Sequence, residues 1–435
     1  MLYRLISLSG LLVMIGLGWA CSTNRRRVPW GLVAKGTLLQ FVFAWLVLKT
    51  EAGKAFFDGA GRAIQFVLDA SKAGTSLVFG SLAGEEQFGF VFFIHVTGTI
   101  ILVSALMSAL YYLGVMQWVV WAMAKLMQVV MGTSGSESLA AAANVFVGQT
   151  EAPLVIKPYL PRMTQSEIMA LMTGGMATIA GGVMAAYAGM LKNAGFDRGA
   201  GDLLAASIMS APASLVMAKI MVPEREESET RGDCRVRLER EGTNLLDGIC
   251  IGAADGMKLA MNVMAMLIAF TALVFLANAM LGSFGGWLAA HLYPDSLLDS
   301  TTTAPWFCQE LQLLSLERIV GWFFRPLALA MGVEWDDVPA VAAILGKRTI
   351  LNEFLAYQDL SAVLHSATPI SPRSASITIY ALCGFANFAS IAIQIGGIGS
   401  LVPARRADLA RYGLRAMIGG TLASYMTANI AGALL

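Results

Sequence analysis

Eight stretches of this chain are apolar and long enough to cross a lipid bilayer, and no other feature limits the fold as much. They are residues 4–22, 30–48, 89–114, 167–191, 203–222, 257–281, 375–401 and 413–434. A spanning helix needs roughly 20 mostly apolar residues. Composition agrees, with 57% hydrophobic and 14% charged residues and a mean hydropathy of +0.65. A soluble domain carries about 25% charged residues, and a chain this poor in charge could not cover its own surface in water. The fold expected is an all-α integral membrane protein.

Charge and cysteine usage exclude other classes. Net charge is +1, so no global field draws the chain to nucleic acid. Cys21, Cys234, Cys250, Cys308 and Cys383 are scattered without a CxxC, which suggests neither a disulfide framework nor a zinc site. His95, His291 and His365 lie far apart, so no metal cluster is expected. The basic cluster Arg25 to Arg27 follows the first apolar run, whereas a signal peptide carries its charge before it. A retained first helix is expected, and a lipoprotein-type signal ending near Cys21 is the alternative.

Lys and Arg in short loops orient the spans. Arg25 to Arg27 separate the first two spans, and Arg405, Arg406, Arg411 and Arg415 separate the last two. The polar loop 223–247 carries five arginines between the fifth and sixth spans. Eight spans with both termini outside the cytoplasm put all three loops inside, as in a multi-pass protein of the cell inner (cytoplasmic) membrane.

Two segments resist a simple spanning reading. Residues 133–163 are apolar at both ends and broken by GQTEAP, and residues 319–358 are broken by GVEWDDVP and carry Glu353 deep in the second arm. Lipid cannot satisfy bare N–H and C=O groups, so a polar break at membrane depth lies within protein or lines a watery cavity. Both read as re-entrant helical hairpins. After each comes a helix with a weak middle, Gly174 to Gly182 in one and Cys383 to Ile393 in the other, and then a plain span. An odd number of crossings separates the two copies, so they have opposite topology. Inverted repeats with matching interrupted helices point to a binding site at the midplane. Glycine packing between helices is the alternative. Residues 115–130 suit an interfacial or buried helix, and 60–82 remain unassigned.

The chain thus divides into an N-terminal scaffold of spans and interfacial helices (1–132), a first half of the core (133–222), a cytoplasmic loop with a scaffold span and connection (223–318), and a second half of the core (319–435). In all, eight transmembrane helices and two hairpins surround an inverted-repeat transport core.

An ionisable side chain inside a span costs about 2.5–3.5 kcal/mol on insertion scales, so Glu151 and Glu353 are functional candidates. The alternative is a packing role, each paired with Lys157, Lys347 or Arg348. Gln149 and Thr150 add an amide and a hydroxyl beside Glu151; Asn387, Ser390 and Phe385 add an amide, a hydroxyl and a ring at the second break. Without clustered Lys or Arg, a phosphorylated substrate is disfavoured. A neutral, planar, polyhydroxylated solute suits the set. No HExxH, Ser/His pairing or GxGD-type aspartate pair supports an intramembrane enzyme, so none is expected. A channel would show pore rings and would not need two hairpins in an inverted repeat.

The stretches AAANVFVGQTEAPLVIKPYLPRMTQSE, GGMATIAGGVMAAYAG, SAPASLVMAKIMVPE, LNEFLAY and ALCGFANFASIAI resemble the concentrative nucleoside transporter family, bacterial type, in order from about residue 100 to the C-terminus. The resemblance implies a cation-coupled symporter that imports uridine-like nucleosides by alternating access. It implies that Gln149, Thr150 and Glu151 address the base, with Val183 lining its pocket. Glu353, Asn387 and Ser390 would hold the ribose, and Phe385 would pack against the nucleoside. A sodium site is implied at Asn144 and Thr178 through side chains and at Val147 and Ile179 through carbonyls. Thr178 stands where serine is more usual and keeps the hydroxyl oxygen. Ala389 replaces a small hydroxyl residue beside Ser390. This all-oxygen set favours sodium; a proton carried by Glu151 or Glu353 is the alternative coupling, and a nucleobase the alternative cargo. The family also implies a homotrimer. The stretch 295–316 is longer than the family pattern needs.

Overall fold

Helix is the regular structure throughout the described residues, which are 1–84, 92–196, 198–231, 242–292 and 314–435 of this computed structural model. The N-terminal part holds α1 (Leu2–Ala20), α2 (Trp30–Lys49), α3 (Glu51–Phe79), α4 (Phe92–Tyr112) and α5 (Val115–Met131). Then come α6 (Gly135–Asn144), the one-turn α7 (Ala152–Val155), α8 (Gln165–Ala177), α9 (Gly181–Asn193) and α10 (Gly199–Met221). The long α11 (Leu245–Leu292) is followed by α12 (Leu316–Ala330), α13 (Val338–Ile350) and α14 (Glu353–Leu364). The chain closes with α15 (Pro372–Leu382), α16 (Phe388–Leu401) and α17 (Arg406–Leu434). Most of the unusually long stretch 295–316 lies outside the described residues.

Burial sorts the long apolar helices into two shells. The windows in Gln165–Asn193 and Gly199–Met221 are 94% and 89% buried, against 28% for α1, 33% for α2 and 17% for Thr271–His291 of α11. The inner helices face protein on all sides, and the outer ones leave one face free. Six described helices are long and apolar enough to cross a membrane by length and composition. The span expected at 375–401 is two shorter helices, α15 and α16, and that at 413–434 lies in α17. Most of α17 is buried, and its run of Gly, Ala, Ser and Thr serves close packing instead of contact with lipid. At Gly420 a Cβ would lie 2.5 Å from the Cβ of Met176, so only glycine lets α17 approach α8 this closely. The helix expected at 257–281 runs much further in both directions, as α11.

Hairpin 1 is pinned at its base by capping and charge. Ser134 and Thr164 open α6 and α8 in capping boxes with Glu137 and Glu167, each satisfying N–H groups that a helix start leaves free. Lys219, near the end of α10, reaches Glu137 at 2.7 Å and Glu224 at 3.1 Å. Glu167 accepts hydrogen bonds from Ser134 and Ser136. The hairpin arm, the interrupted helix and the plain helix of the first repeat therefore share one buried polar knot.

The second hairpin differs from the sequence reading. The GVEWDDVP break separates α12 from α13, and a second, tighter break follows at Leu351 and Asn352. Asn352 caps α14 by accepting the Leu355 N–H at 3.0 Å. Glu353 is thus the first residue of α14, at a hairpin tip, and does not lie deep in an arm. No Gly or Pro marks this turn; the signal was an N-cap Asn followed at once by an acid in the first helical turn.

Breaking a buried ion pair by removing one partner costs about 3–5 kcal/mol, because the other charge is left unpaired. Lys219→Met should therefore lower the thermal unfolding midpoint in detergent, measured by scanning fluorimetry. Lys219→Met combined with Glu137→Gln should be more stable than the single variant, since no buried carboxylate is then orphaned. A double variant no better than the single one would show that this pair does not hold the hairpin.

Candidate functional site

Each helix interruption frees backbone groups that side chains must satisfy, and this places the polar residues. In the first, α8 ends at Ala177 and α9 begins at Gly181, with Thr178 and Ala180 extended between them. Thr178 Oγ1 donates to Gly174 O at 2.9 Å, pairing one of the freed carbonyls. In the second, α15 ends at Leu382, and Asn387 caps α16 by accepting the Ser390 N–H at 2.9 Å. Gly384 has φ +143°, and a Cβ there would lie 2.6 Å from Met176 O and 2.9 Å from Ala177 O. The two breaks meet backbone to backbone at this glycine.

A hydrogen-bonded chain crosses the contact. Asn387 Nδ2 donates to Glu353 Oε2 at 2.9 Å, and Tyr187 Oη donates to Glu353 Oε1 at 3.0 Å. Gln149 Nε2 donates to Ser390 Oγ at 3.1 Å. Gln394 Nε2 donates to Gln149 Oε1 at 3.1 Å and to Met172 O at 3.0 Å. The structure thus joins Gln149, Glu353, Asn387 and Ser390 from hairpin 1, hairpin 2 and α16. Glu353 is 6% exposed, whereas Glu151 is exposed at the hairpin 1 tip and accepts the Gly148 N–H at 3.3 Å. Thr150 packs against Gly397 of α16. Val183 is buried in the first turn of α9, and Phe385 is half-buried in the second break. A carboxylate has about four lone-pair sites, so Glu353 keeps capacity for a further donor beside Tyr187 and Asn387.

The four residues expected to hold a cation lie around the first break. Val147 and Ile179 are in non-helical backbone on either side of the Gly181 N–H to Phe146 O bond, 3.0 Å long. Asn144 is 1% exposed, and among the described residues neither of its amide atoms has a hydrogen-bond partner. A buried amide is costly to leave unpaired, so the site offers an oxygen without a protein donor. Thr178 uses its hydroxyl proton on Gly174 and keeps its lone pairs. This donor set fits a hard cation that prefers oxygen.

Two residues escaped the sequence reading. Gln394 lies four after Ser390, on the same face of α16, and that spacing was the available signal. Tyr187 stacks on Tyr357 at 4.4 Å with the ring planes 23° apart, and gave no signal among its apolar neighbours. Arg348, offered by the sequence as a pairing partner for a glutamate, is fully buried and donates to backbone carbonyls and Ser424 Oγ; among the described residues no hydrogen bond joins it to Glu353.

The family described as "Na+ dependent nucleoside transporter C-terminus" matches residues 202–432. The chain belongs to the concentrative nucleoside transporter family. The N-terminal part of the same family matches 9–82, and a "Nucleoside recognition" family matches 93–194. The chain is 42% identical to the sodium/nucleoside cotransporter 1 of Rattus norvegicus, over 99% of its own length and 64% of that protein's. It therefore spans less than two thirds of the rat relative. It is 41% identical to an uncharacterized transporter of Haemophilus influenzae, over 98% of this chain and 97% of that one. The fold is similar to CNTnw in an inward-facing substrate-bound state, with TM-score 0.86, 37% identity and coverage of 99% and 98%. It is equally similar to a CNTnw variant in an outward-facing state, with TM-score 0.87, 36% identity and coverage of 100% and 98%. As a concentrative nucleoside transporter relative, the chain is an all-α membrane protein of a family of transporters, not enzymes.

In this member of the concentrative nucleoside transporters, Asn387 both caps α16 and holds Glu353, and the two roles are separable. Asn387→Ser keeps an N-cap oxygen and loses the amide donor; Asn387→Ala loses both. The Ala variant should be less stable than the Ser variant by about 1 kcal/mol, read by thermal unfolding. Equal stability of the two would remove the capping role.

Proposed function

We propose that the chain is a sodium-coupled symporter that imports neutral, uridine-like nucleosides across the cell inner membrane by alternating access. The observation that carries this reading is the polar chain from Gln149 through Ser390 and Asn387 to Glu353, assembled where two helix breaks meet. Gln149, Thr150 and Glu151, with Val183, address the base. Glu353, Asn387 and Ser390 accept and donate to the ribose, and Phe385 packs against the nucleoside. Asn144, Thr178, Val147 and Ile179 hold sodium beside hairpin 1. The names of the sodium/nucleoside cotransporter relatives support the pairing of ion and cargo.

Charge supports a neutral cargo. The Nε, NH1 and NH2 groups of Arg348 all donate to Ala381 O, Gly384 O or Ser424 Oγ, and Lys347 is paired with Asp359 at 2.7 Å. A phosphate would find neither cation free to meet it. The bilayer surrounds the outer helices, both termini face away from the cytoplasm, and copies associate as a homotrimer. The exposed apolar face of α11, with Phe275, Met280 and Phe284, offers surface for lipid and for a neighbouring copy.

Uptake of radiolabelled uridine into vesicles tests the cargo. Uridine should accumulate against a gradient, and uridine monophosphate should compete poorly; equal competition would sink the neutral-cargo reading. Glu353→Gln should lower uridine affinity about ten- to hundred-fold by weakening charge-assisted hydrogen bonds. A 3′-deoxy analogue should lose less than uridine does; equal losses would remove Glu353 from the ribose.

The coupling ion is tested by replacing sodium with choline at fixed pH. Uptake should stop. Thr178→Val deletes one oxygen at constant shape, and should raise the sodium concentration for half-maximal uptake while nucleoside affinity at saturating sodium stays nearly intact. Full activity in choline with stimulation by external acid would move the coupling to a proton on Glu151 or Glu353.

A further inference from the structure

The two repeats treat their helix breaks differently. In the first, the arm α6 ends at Asn144, whose side chain is buried beside Gly174 of α8 and unpaired among the described residues. Ser214 of α10 lies against the same turn. In the second, the arm α13 carries Arg348, two residues before its end, with no exposed surface. Its NH1 donates to Ala381 O at 3.0 Å. Its Nε and NH2 donate to Gly384 O at 3.3 and 3.2 Å. NH2 also donates to Ser424 Oγ of α17 at 3.3 Å, and Ser424 in turn donates to Cys383 O at 2.8 Å.

The positions correspond. Ile179 and Gly384 are each the second residue after the first half of an interrupted helix, and Ser214 and Ser424 lie on the plain helices that close each repeat. The end of a helix carries partial negative charge on its free carbonyls, equivalent to about half an elementary charge. Among the described residues no carboxylate forms an ion pair with Arg348; its hydrogen-bond acceptors are these backbone dipoles and the Ser424 hydroxyl, and Glu353 lies near enough to interact with its charge. A buried cation is expensive unless it is fully hydrogen-bonded, and here the carbonyls and a hydroxyl do that.

We propose that Arg348 is a built-in cation, which takes in the second repeat the place that the coupling cation takes in the first. The comparison of the two places rests on the sodium reading above. Arg348 is a positioning residue: it fixes Gly384, three residues before Asn387, and Asn387 holds Glu353. The half-site of hairpin 2 is then organised without an ion, and only the hairpin 1 half waits for one. One repeat is loaded by the gradient and the other by the sequence.

Chemical rescue tests this on the full-length protein in detergent. Arg348→Ala removes the charge and leaves space for a guanidinium ion, and urea supplies the same shape without charge. Millimolar guanidinium should raise the thermal unfolding midpoint of Arg348→Ala by about 2 °C or more, as a bound ligand does. Urea should not, and the wild type should show no rise with either. Uridine affinity at saturating sodium should fall at least about ten-fold in Arg348→Gln, recover in Arg348→Ala on adding guanidinium, and stay closer to wild type in Arg348→Lys. Rescue by urea as good as by guanidinium would overturn the proposal, because filling space would then suffice. Indifference of Arg348→Ala to both would overturn it too, as would wild-type affinity in Arg348→Gln. The unfolding readout contains no nucleoside, so a wild type that binds no uridine would defeat the transport reading alone.

Discussion

Everything in the core follows from one constraint: a helix broken at membrane depth leaves N–H and C=O groups that lipid cannot satisfy. Each break in this chain is answered by a particular side chain. Thr178 takes Gly174 O, Asn387 caps α16, Asn352 caps α14, and Arg348 and Ser424 cover the carbonyls of Ala381, Cys383 and Gly384. The polar residues of the site are therefore also what makes the interruptions tolerable. The site and the irregular backbone are one feature seen from two sides.

Burial then decides which polar groups remain for a ligand. Glu353 shares its oxygens with Tyr187 and Asn387, and those donors hold the carboxylate in place without filling its lone pairs. Gln149 is held from behind by Gln394 and from the front by Ser390. Glu151 is exposed and accepts the Gly148 N–H. One carboxylate is buried and held by packing and the other is exposed, although both sit at hairpin tips in apolar stretches of sequence.

Much of this was legible in the chain. Hydropathy located the spanning regions because lipid imposes the same length on every crossing. The breaks at GQTEAP and CGFAN were legible because polar residues are rare at that depth. The turn before Glu353 was not, since Leu351 and Asn352 break the helix through backbone angles and a cap, without Gly or Pro. The full length of α11 was missed because its ends carry ordinary helix formers beyond the most apolar window. Arg348 read as a charge to pair with a glutamate, because only the folded arrangement shows that its fork meets the end of α15 instead. Tyr187 was hidden for the opposite reason, as an aromatic among apolar neighbours looks like packing.

The hydrogen bonds of the polar chain link residues very far apart in sequence. Gln149 and Ser390 are 241 positions apart, Gln149 and Gln394 are 245, and Tyr187 and Glu353 are 166. Contacts of such separation form late, because the loop between them must be closed before they return any stability. During synthesis the first repeat emerges and packs well before α16 exists. Its hairpin cannot pair Gln149 with Ser390 or Gln394 until α16 has been made. The site is thus the final product of folding and not its nucleus, and a chain cut short in the second repeat would keep most of its helices while owning only half a cradle.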